Sequence, residues 1–78
     1  MILGSQIKAA RVLLEMSQTE LAEIAKTSIA TIKRIEKSKG NYKGSAELFY
    51  NIQSALEKRG VKFENDDNSY GVKLFKIK

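Results

Sequence analysis

The chain has 78 residues and a net charge of +5, with 14 lysines and arginines against 9 aspartates and glutamates. This length fits one small domain with a single hydrophobic core. The sequence contains no cysteine and no histidine. Disulfides, thiolate metal sites and a catalytic imidazole are therefore excluded, and we expect no metal, no cofactor and no enzymatic activity. No apolar run reaches membrane-spanning length, and the N-terminal apolar stretch is too short for a signal peptide, so we expect a cytoplasmic protein.

The first predicted helix covers residues 5–16, with Gly4 or Ser5 as its N-cap. Its expected apolar face is formed by Ile7, Ala10, Val12, Leu13 and Leu14. Arg11 lies among these apolar residues. It is either a surface arginine whose stem covers apolar neighbours or the partner of an acidic side chain on another element.

Residues 17–36 predict two short helices joined by a tight turn. Ser17 is a good N-cap, and Glu20 three residues later completes a capping box. The apolar stripe that follows at helical spacing is Leu21, Ala22, Ile24 and Ala25. The pattern breaks at residues 26–27, and Ser28 offers a second N-cap. Ile32 and Ile35 would then form the inward face of the second helix.

The other side of this second helix is small, apolar and positively charged. It consists of Ile29, Ala30, Lys33, Arg34 and Lys37. Residues 26–43 hold six basic residues and one acidic residue, whereas the rest of the chain has eight of each. The excess charge is therefore concentrated in one segment. Such a cluster is either a solvated surface or a surface that meets phosphate groups.

The remaining chain predicts a loop, a helix and a hairpin. Two glycines and three lysines mark residues 37–44 as a loop. Ser45 would cap a fourth helix that continues to about residue 59, with Gly60 as its stop. Residues 61–64 alternate apolar and charged side chains as a strand does, residues 65–71 resemble a turn, and residues 72–77 predict a second strand.

The second strand has apolar residues on both faces, with Val72 and Leu74 on one and Phe75 and Ile77 on the other. One layer of helices covers only one face of a two-stranded ribbon, so a second copy of the chain is expected on the remaining face or edge. The predicted dimer interface is therefore Val72, Leu74, Phe75 and Ile77. The alternative is a bulge that turns all four side chains into the same core.

One motif in the chain resembles a known family. The pattern Gln18-Thr19-x-Leu21-Ala22, Ser28-x-x-Thr31-Ile32 and Ile35-Glu36 resembles the phage-repressor (Cro-like, or XRE) family of helix-turn-helix DNA-binding proteins. With Arg11 and the basic loop, the resemblance covers residues 6–44. It implies a mainly α fold: a four-helix, lambda-repressor-like DNA-binding domain over residues 1–60, with its motif at 17–36. Residues 61–78 would form a C-terminal β-hairpin in the same compact unit, a candidate dimerisation element.

The chain departs from the family pattern in the turn. The family usually has glycine at the position of Lys26, because the residue there is left-handed. A lysine in that conformation costs about 1 kcal/mol of backbone strain.

The resemblance also implies roles for individual residues, with residues 28–37 as the recognition helix in the major groove. The residues expected to face base edges are Ile29, Ala30, Lys33 and Arg34. Those expected to contact the DNA backbone are Ser17, Gln18, Thr31, Lys37, Lys39, Asn41 and Lys43. Arg11 and Glu36 would form a structural ion pair. For Ile29 the alternative is an ordinary core residue near the turn.

We therefore expect a homodimeric regulator of transcription, a repressor, that binds a pseudo-palindromic operator in double-stranded DNA. The alternative is an antitoxin or adaptor that uses the same fold to bind a protein partner such as a toxin. RNA binding also fits the charge, but the chain lacks an aromatic platform on a sheet beside the basic region.

Overall fold

The computed structural model describes residues 2–39 and 44–76. Within them the chain forms four helices followed by a two-stranded antiparallel hairpin. The elements are α1 (Gly4–Leu13), α2 (Gln18–Ala25), α3 (Ile29–Lys37), α4 (Ala46–Glu57), β1 (Val61–Asn65) and β2 (Tyr70–Leu74). The predicted mainly α fold of four helices with a C-terminal hairpin is confirmed.

The three serines predicted to cap helices all do so. The hydroxyl oxygens of Ser17, Ser28 and Ser45 accept hydrogen bonds from the backbone N–H groups three residues later, at 3.0, 3.1 and 3.1 Å. The first helix differs from the prediction. Its N-cap is Leu3, whose N–H donates to the Gln6 side chain at 2.8 Å, so neither Gly4 nor Ser5 has this role.

The core is formed by the inward faces of all four helices. Its largest fully buried side chains are Ile7, Leu21, Ile32, Ile35, Ile52 and Leu56. The predicted apolar face of α1 was too broad, because Val12 and Leu13 are 57% and 44% exposed. Successive residues of a helix are rotated by about 100°, which places these two side chains away from the face shared by Ile7, Ala10 and Leu14.

The turn between α2 and α3 has the predicted left-handed residue. Lys26 adopts φ 58° and ψ 48°, and the next N–H, that of Thr27, donates to the carbonyl oxygen of Ala22 at 2.9 Å. This is a common way to end a helix. The chain therefore turns sharply into α3 although it has no glycine at this position.

The hairpin is shifted from its predicted position. Its strands pair Val61 with Leu74 and Phe63 with Val72, and these four side chains are buried or half-buried against the core. The opposite face is charged, with Glu64 lying 3.2 Å from the ammonium group of Lys73. The second strand spans Tyr70–Leu74 instead of the predicted residues 72–77, so Phe75 follows it, 53% exposed and with the ammonium group of Lys73 5.6 Å from the centre of its ring.

A buried glutamine connects α1 to the hairpin. The amide nitrogen of Gln6 donates to the side-chain oxygen of Asn65 at 2.6 Å and to the carbonyl oxygen of Gly71 at 2.8 Å. Its amide oxygen accepts the Leu3 N–H that starts α1. Both the nitrogen and the oxygen of this buried amide are therefore hydrogen-bonded, and the amide connects both strands to the first helix.

Gly4 lies where α1 approaches the end of α3. A Cβ atom at this position would collide with the carbonyl oxygen of Ile35 and crowd Ser38. We expect Gly4→Ala to lower the free energy of unfolding by about 1–3 kcal/mol, the usual cost of overpacking. Urea unfolding measures the change, and Ser5→Ala at the exposed neighbouring position should shift it by less than about 0.5 kcal/mol. Equal stabilities for the two variants would contradict the close approach.

Candidate nucleic-acid interface

The start of α2 is fixed by a reciprocal pair of hydrogen bonds. Ser17 accepts from the N–H of Glu20 at 3.0 Å, and the Glu20 carboxylate accepts from the N–H of Ser17 at 2.9 Å. Hydrogen bonding lowers the pKa of Glu20 below its usual value, mainly through the Ser17 N–H and to a smaller extent through the Ser17 hydroxyl. The capping box is therefore complete at neutral pH, and its contribution is lost as the pH falls through this lowered pKa.

The two faces of α3 differ sharply in chemistry. Ile32 and Ile35 are fully buried, whereas Ala30, Lys33 and Arg34 are exposed. Ile29 is 40% exposed, so it lies at the surface at the start of the helix and is not an ordinary core residue. All four side chains predicted to face base edges are thus accessible on one helix.

Arg34 is partly held in place on this surface. One of its terminal nitrogens donates to the Thr31 hydroxyl at 3.2 Å, and that hydroxyl lies 2.9 Å from the Ser28 hydroxyl. Thr31, predicted to contact the DNA backbone, therefore has protein partners on both sides. The contact restricts the guanidinium along the outer face of α3.

Arg11 and Glu36 form a two-pronged ion pair between α1 and α3. The distances are 2.8 Å from Arg11 Nε to Glu36 Oε2 and 3.1 Å from Arg11 Nη2 to Glu36 Oε1. The two side chains are only 12% and 3% exposed. Arg11 also donates to the carbonyl oxygen of Met16 at 2.9 Å, which ties down the segment before α2.

Gln18 completes this network from α2. Its amide nitrogen donates to Glu36 Oε1 at 3.0 Å. Sequence reasoning assigned Gln18 to the DNA backbone and missed this contact, because residues 18 and 36 are adjacent only after folding. Any phosphate contact from Gln18 would use the remaining N–H of that amide or its backbone N–H at the helix start. The three helices of the motif region are therefore joined through one carboxylate.

The other predicted backbone contacts fall into two groups. Ser17, Lys37 and Lys39 are exposed. Asn41 and Lys43 lie outside the described residues, as does Ile77 of the predicted dimer interface.

Sequence reasoning also missed Lys8. It lines an open concavity of about 340 Å³ together with Gln18, Lys33, Glu36 and Lys37. The spacing offered a signal, because Lys8 precedes Arg11 by three residues and so lies on the same side of α1 as the residue that pairs with α3.

The geometry defines a helix-turn-helix: two short helices joined by a tight turn, with the second one exposing a positive outer face. Comparison with known families gives the same result, since residues 7–42 match the family model described as Helix-turn-helix. The match supports the resemblance of this segment to the Cro-like, XRE type of helix-turn-helix, a type found in DNA-binding regulators. A search of curated proteins finds no significant match.

None of the helices in residues 2–39 and 44–76 is long and apolar enough to cross a membrane. The same residues contain no cluster of three or more acidic side chains that could hold a metal ion.

Removal of Arg11 would leave the Glu36 carboxylate buried without its cationic partner. We expect Arg11→Ala to lower the free energy of unfolding by about 3 kcal/mol, since an uncompensated buried charge is strongly unfavourable. Thermal and urea unfolding measure the loss. Arg59→Ala removes an exposed arginine that donates to the carbonyl oxygen of Ala55, and it should cost less than about 1 kcal/mol. An Arg11→Ala protein as stable as the parent would show that the buried Glu36 carboxylate does not depend on this partner.

Proposed function

We propose that this protein is a sequence-specific repressor of transcription that binds a pseudo-palindromic operator as a homodimer, with α3 in the major groove. The observation behind the proposal is the outer face of α3, where Ile29, Ala30, Lys33 and Arg34 are all accessible. A helix of this size fits the major groove of B-form DNA, where each base pair has a distinct pattern of donors and acceptors. A protein that occupies an operator in this way competes with transcription.

Arg34 is the candidate for recognising guanine. A guanidinium donates two parallel hydrogen bonds to the O6 and N7 atoms of guanine, and the Thr31 contact already restricts this side chain. Ile29 and Ala30 offer apolar surface that suits the methyl group of thymine. Lys33 supplies charge beside them.

Contacts with the DNA backbone would orient α3 in the groove. The residues proposed for them are Ser17, Gln18, Thr31, Lys37, Lys39, Asn41 and Lys43. Such contacts determine position and contribute affinity at low salt, but they are largely insensitive to base sequence.

The proposed dimer would form through the C-terminal hairpin. Phe75 is 53% exposed just after β2, and a ribbon of two strands has free edges that can pair with a second copy. Val72 and Leu74 are half-buried against their own core, so in this proposal they support the interface from the core side. Ile77, which lies outside the described residues, stays part of the proposed interface. Two recognition helices separated by about 34–36 Å would reach successive major grooves on one side of the duplex.

Selection from a pool of random duplexes, repeated at two salt concentrations, tests the proposal directly. A recovered half-site repeated with mirror symmetry supports sequence-specific binding by a dimer. Tight binding to a protein without salt-dependent affinity for DNA would instead support the antitoxin or adaptor alternative. The proposal also includes a cytoplasmic location, because the protein must have access to duplex DNA.

Arg34 and Lys39 should have different effects on DNA binding. We expect Arg34→Ala to weaken binding to the selected operator by about 1–3 kcal/mol while changing binding to random duplex much less. Lys39→Ala should weaken both by a similar factor, because a phosphate contact is nearly independent of sequence. Titration of both duplexes at one salt concentration measures this. If both variants lose equal affinity for both duplexes, the assigned roles are wrong.

The dimer proposal predicts a solution mass of about twice the 8.8 kDa of one chain. Phe75→Glu should shift the mass towards the monomer, since a charge would then be buried at the interface. Tyr50→Glu changes another exposed aromatic residue and should leave the mass unchanged. Light scattering after size exclusion, over a range of concentrations, measures both. A parent chain that stays monomeric at high concentration would rule out this dimer.

A further inference from the structure

The concavity between the first three helices concentrates positive charge. It has a volume of about 340 Å³ and is lined by Lys8 of α1, Gln18 of α2, and Lys33, Glu36 and Lys37 of α3. Three of the five lining residues are lysines, and all three are exposed. Since one water molecule occupies about 30 Å³ in the liquid, the space would hold a phosphate group together with part of its hydration shell.

The single carboxylate in this concavity does not neutralise the lysines. Glu36 is engaged by two nitrogens of Arg11 and by the Gln18 amide. The ammonium groups of Lys8, Lys33 and Lys37 form no ion pair or hydrogen bond with any of the residues that the structure describes. Three lysines therefore line one concavity, and the only acid among its lining residues is already paired with an arginine.

We propose that Lys8, together with Lys33 and Lys37, binds one phosphate group of the DNA backbone in this concavity. Lys8 is then a DNA-contacting residue outside the helix-turn-helix segment. The inference rests on the proposed function, in which α3 lies in the major groove. Two lysines of the concavity belong to α3. With α3 in the major groove, a sugar-phosphate strand at the edge of the groove would therefore pass this concavity. An ammonium group is a compact charge with three donors, which suits a phosphate oxygen.

The contact would also give α1 a direct role in docking. Lys8 lies one helical turn before Arg11, which holds the end of α3 through Glu36. A phosphate bound by Lys8 on one side and by Lys33 and Lys37 on the other would fix the distance of α1 from the same strand. The depth of α3 in the groove would then be set by α1 as well as by α3 itself.

The test compares Lys8→Gln with Lys58→Gln, a change at an exposed lysine after α4 that lines a different concavity. Affinity for one operator duplex is measured at several salt concentrations. Lys8→Gln removes one of the three cations at this phosphate and should reduce the slope of log affinity against log salt by up to about 0.9, which corresponds to at most about eightfold weaker binding at 0.1 M salt. The loss should be similar on random duplex. Lys58→Gln should keep the parent slope. Lys8→Arg, which keeps the positive charge, should also keep most of it.

A second arm identifies the phosphate and excludes a general effect of charge. Single neutral methylphosphonate linkages are placed in turn along the operator, and binding of the parent and of Lys8→Gln is compared for each. We expect one position at which the neutral linkage weakens the parent by a clearly larger factor than it weakens Lys8→Gln, because the two changes act on the same contact.

The outcomes separate this inference from the proposed function. A parent protein without salt-dependent DNA binding overturns both. A parent that binds with a salt slope which Lys8→Gln leaves unchanged overturns only the role of Lys8. A reduced slope without a shared methylphosphonate position also overturns it, because Lys8 would then act as general charge without a defined phosphate.

Discussion

The geometry of the helix-turn-helix depends on one buried carboxylate. Glu36, at the end of α3, accepts hydrogen bonds from Arg11 of α1 and from Gln18 of α2. Removing two charges from water costs about as much as their attraction returns, so such a pair adds little net stability. Its importance is geometric, because a bidentate arginine and a carboxylate interact well in only a few relative orientations. The network therefore fixes the angles between three helices that hydrophobic contact alone would hold less specifically.

A fixed α3 explains why its two faces can differ so strongly. Ile32 and Ile35 are fully buried, while the positive face on the other side is left in solvent. Few of these positive side chains pair with an acidic side chain among the described residues, although such pairs would reduce the repulsion among the lysines. A surface of this kind is suited to a polyanion, whose phosphates supply the missing negative charge and release bound counterions.

Much of the fold could be predicted because its signals are local. Ser17, Ser28 and Ser45 are caps that depend on neighbours three residues away, and the turn at Lys26 follows from the same short segment. The errors arose where long-range packing decides the outcome. Val12 and Leu13 are apolar but lie off the buried face, and Phe75 falls beyond a strand whose bounds are set by pairing. The missed residues of the site, Lys8 and the Gln18–Glu36 contact, come together only in the folded chain.

The Gln6 side chain connects the C-terminal hairpin to the helices. It connects both strands of the hairpin to α1, and α1 is in turn joined to the end of α3 by the ion pair between Arg11 and Glu36. The hairpin is therefore held on the helices in two ways, by this amide and by the packing of Val61, Phe63, Val72 and Leu74 on the core. A partner that bound the hairpin would act on a part of the domain that is joined to α3 through α1.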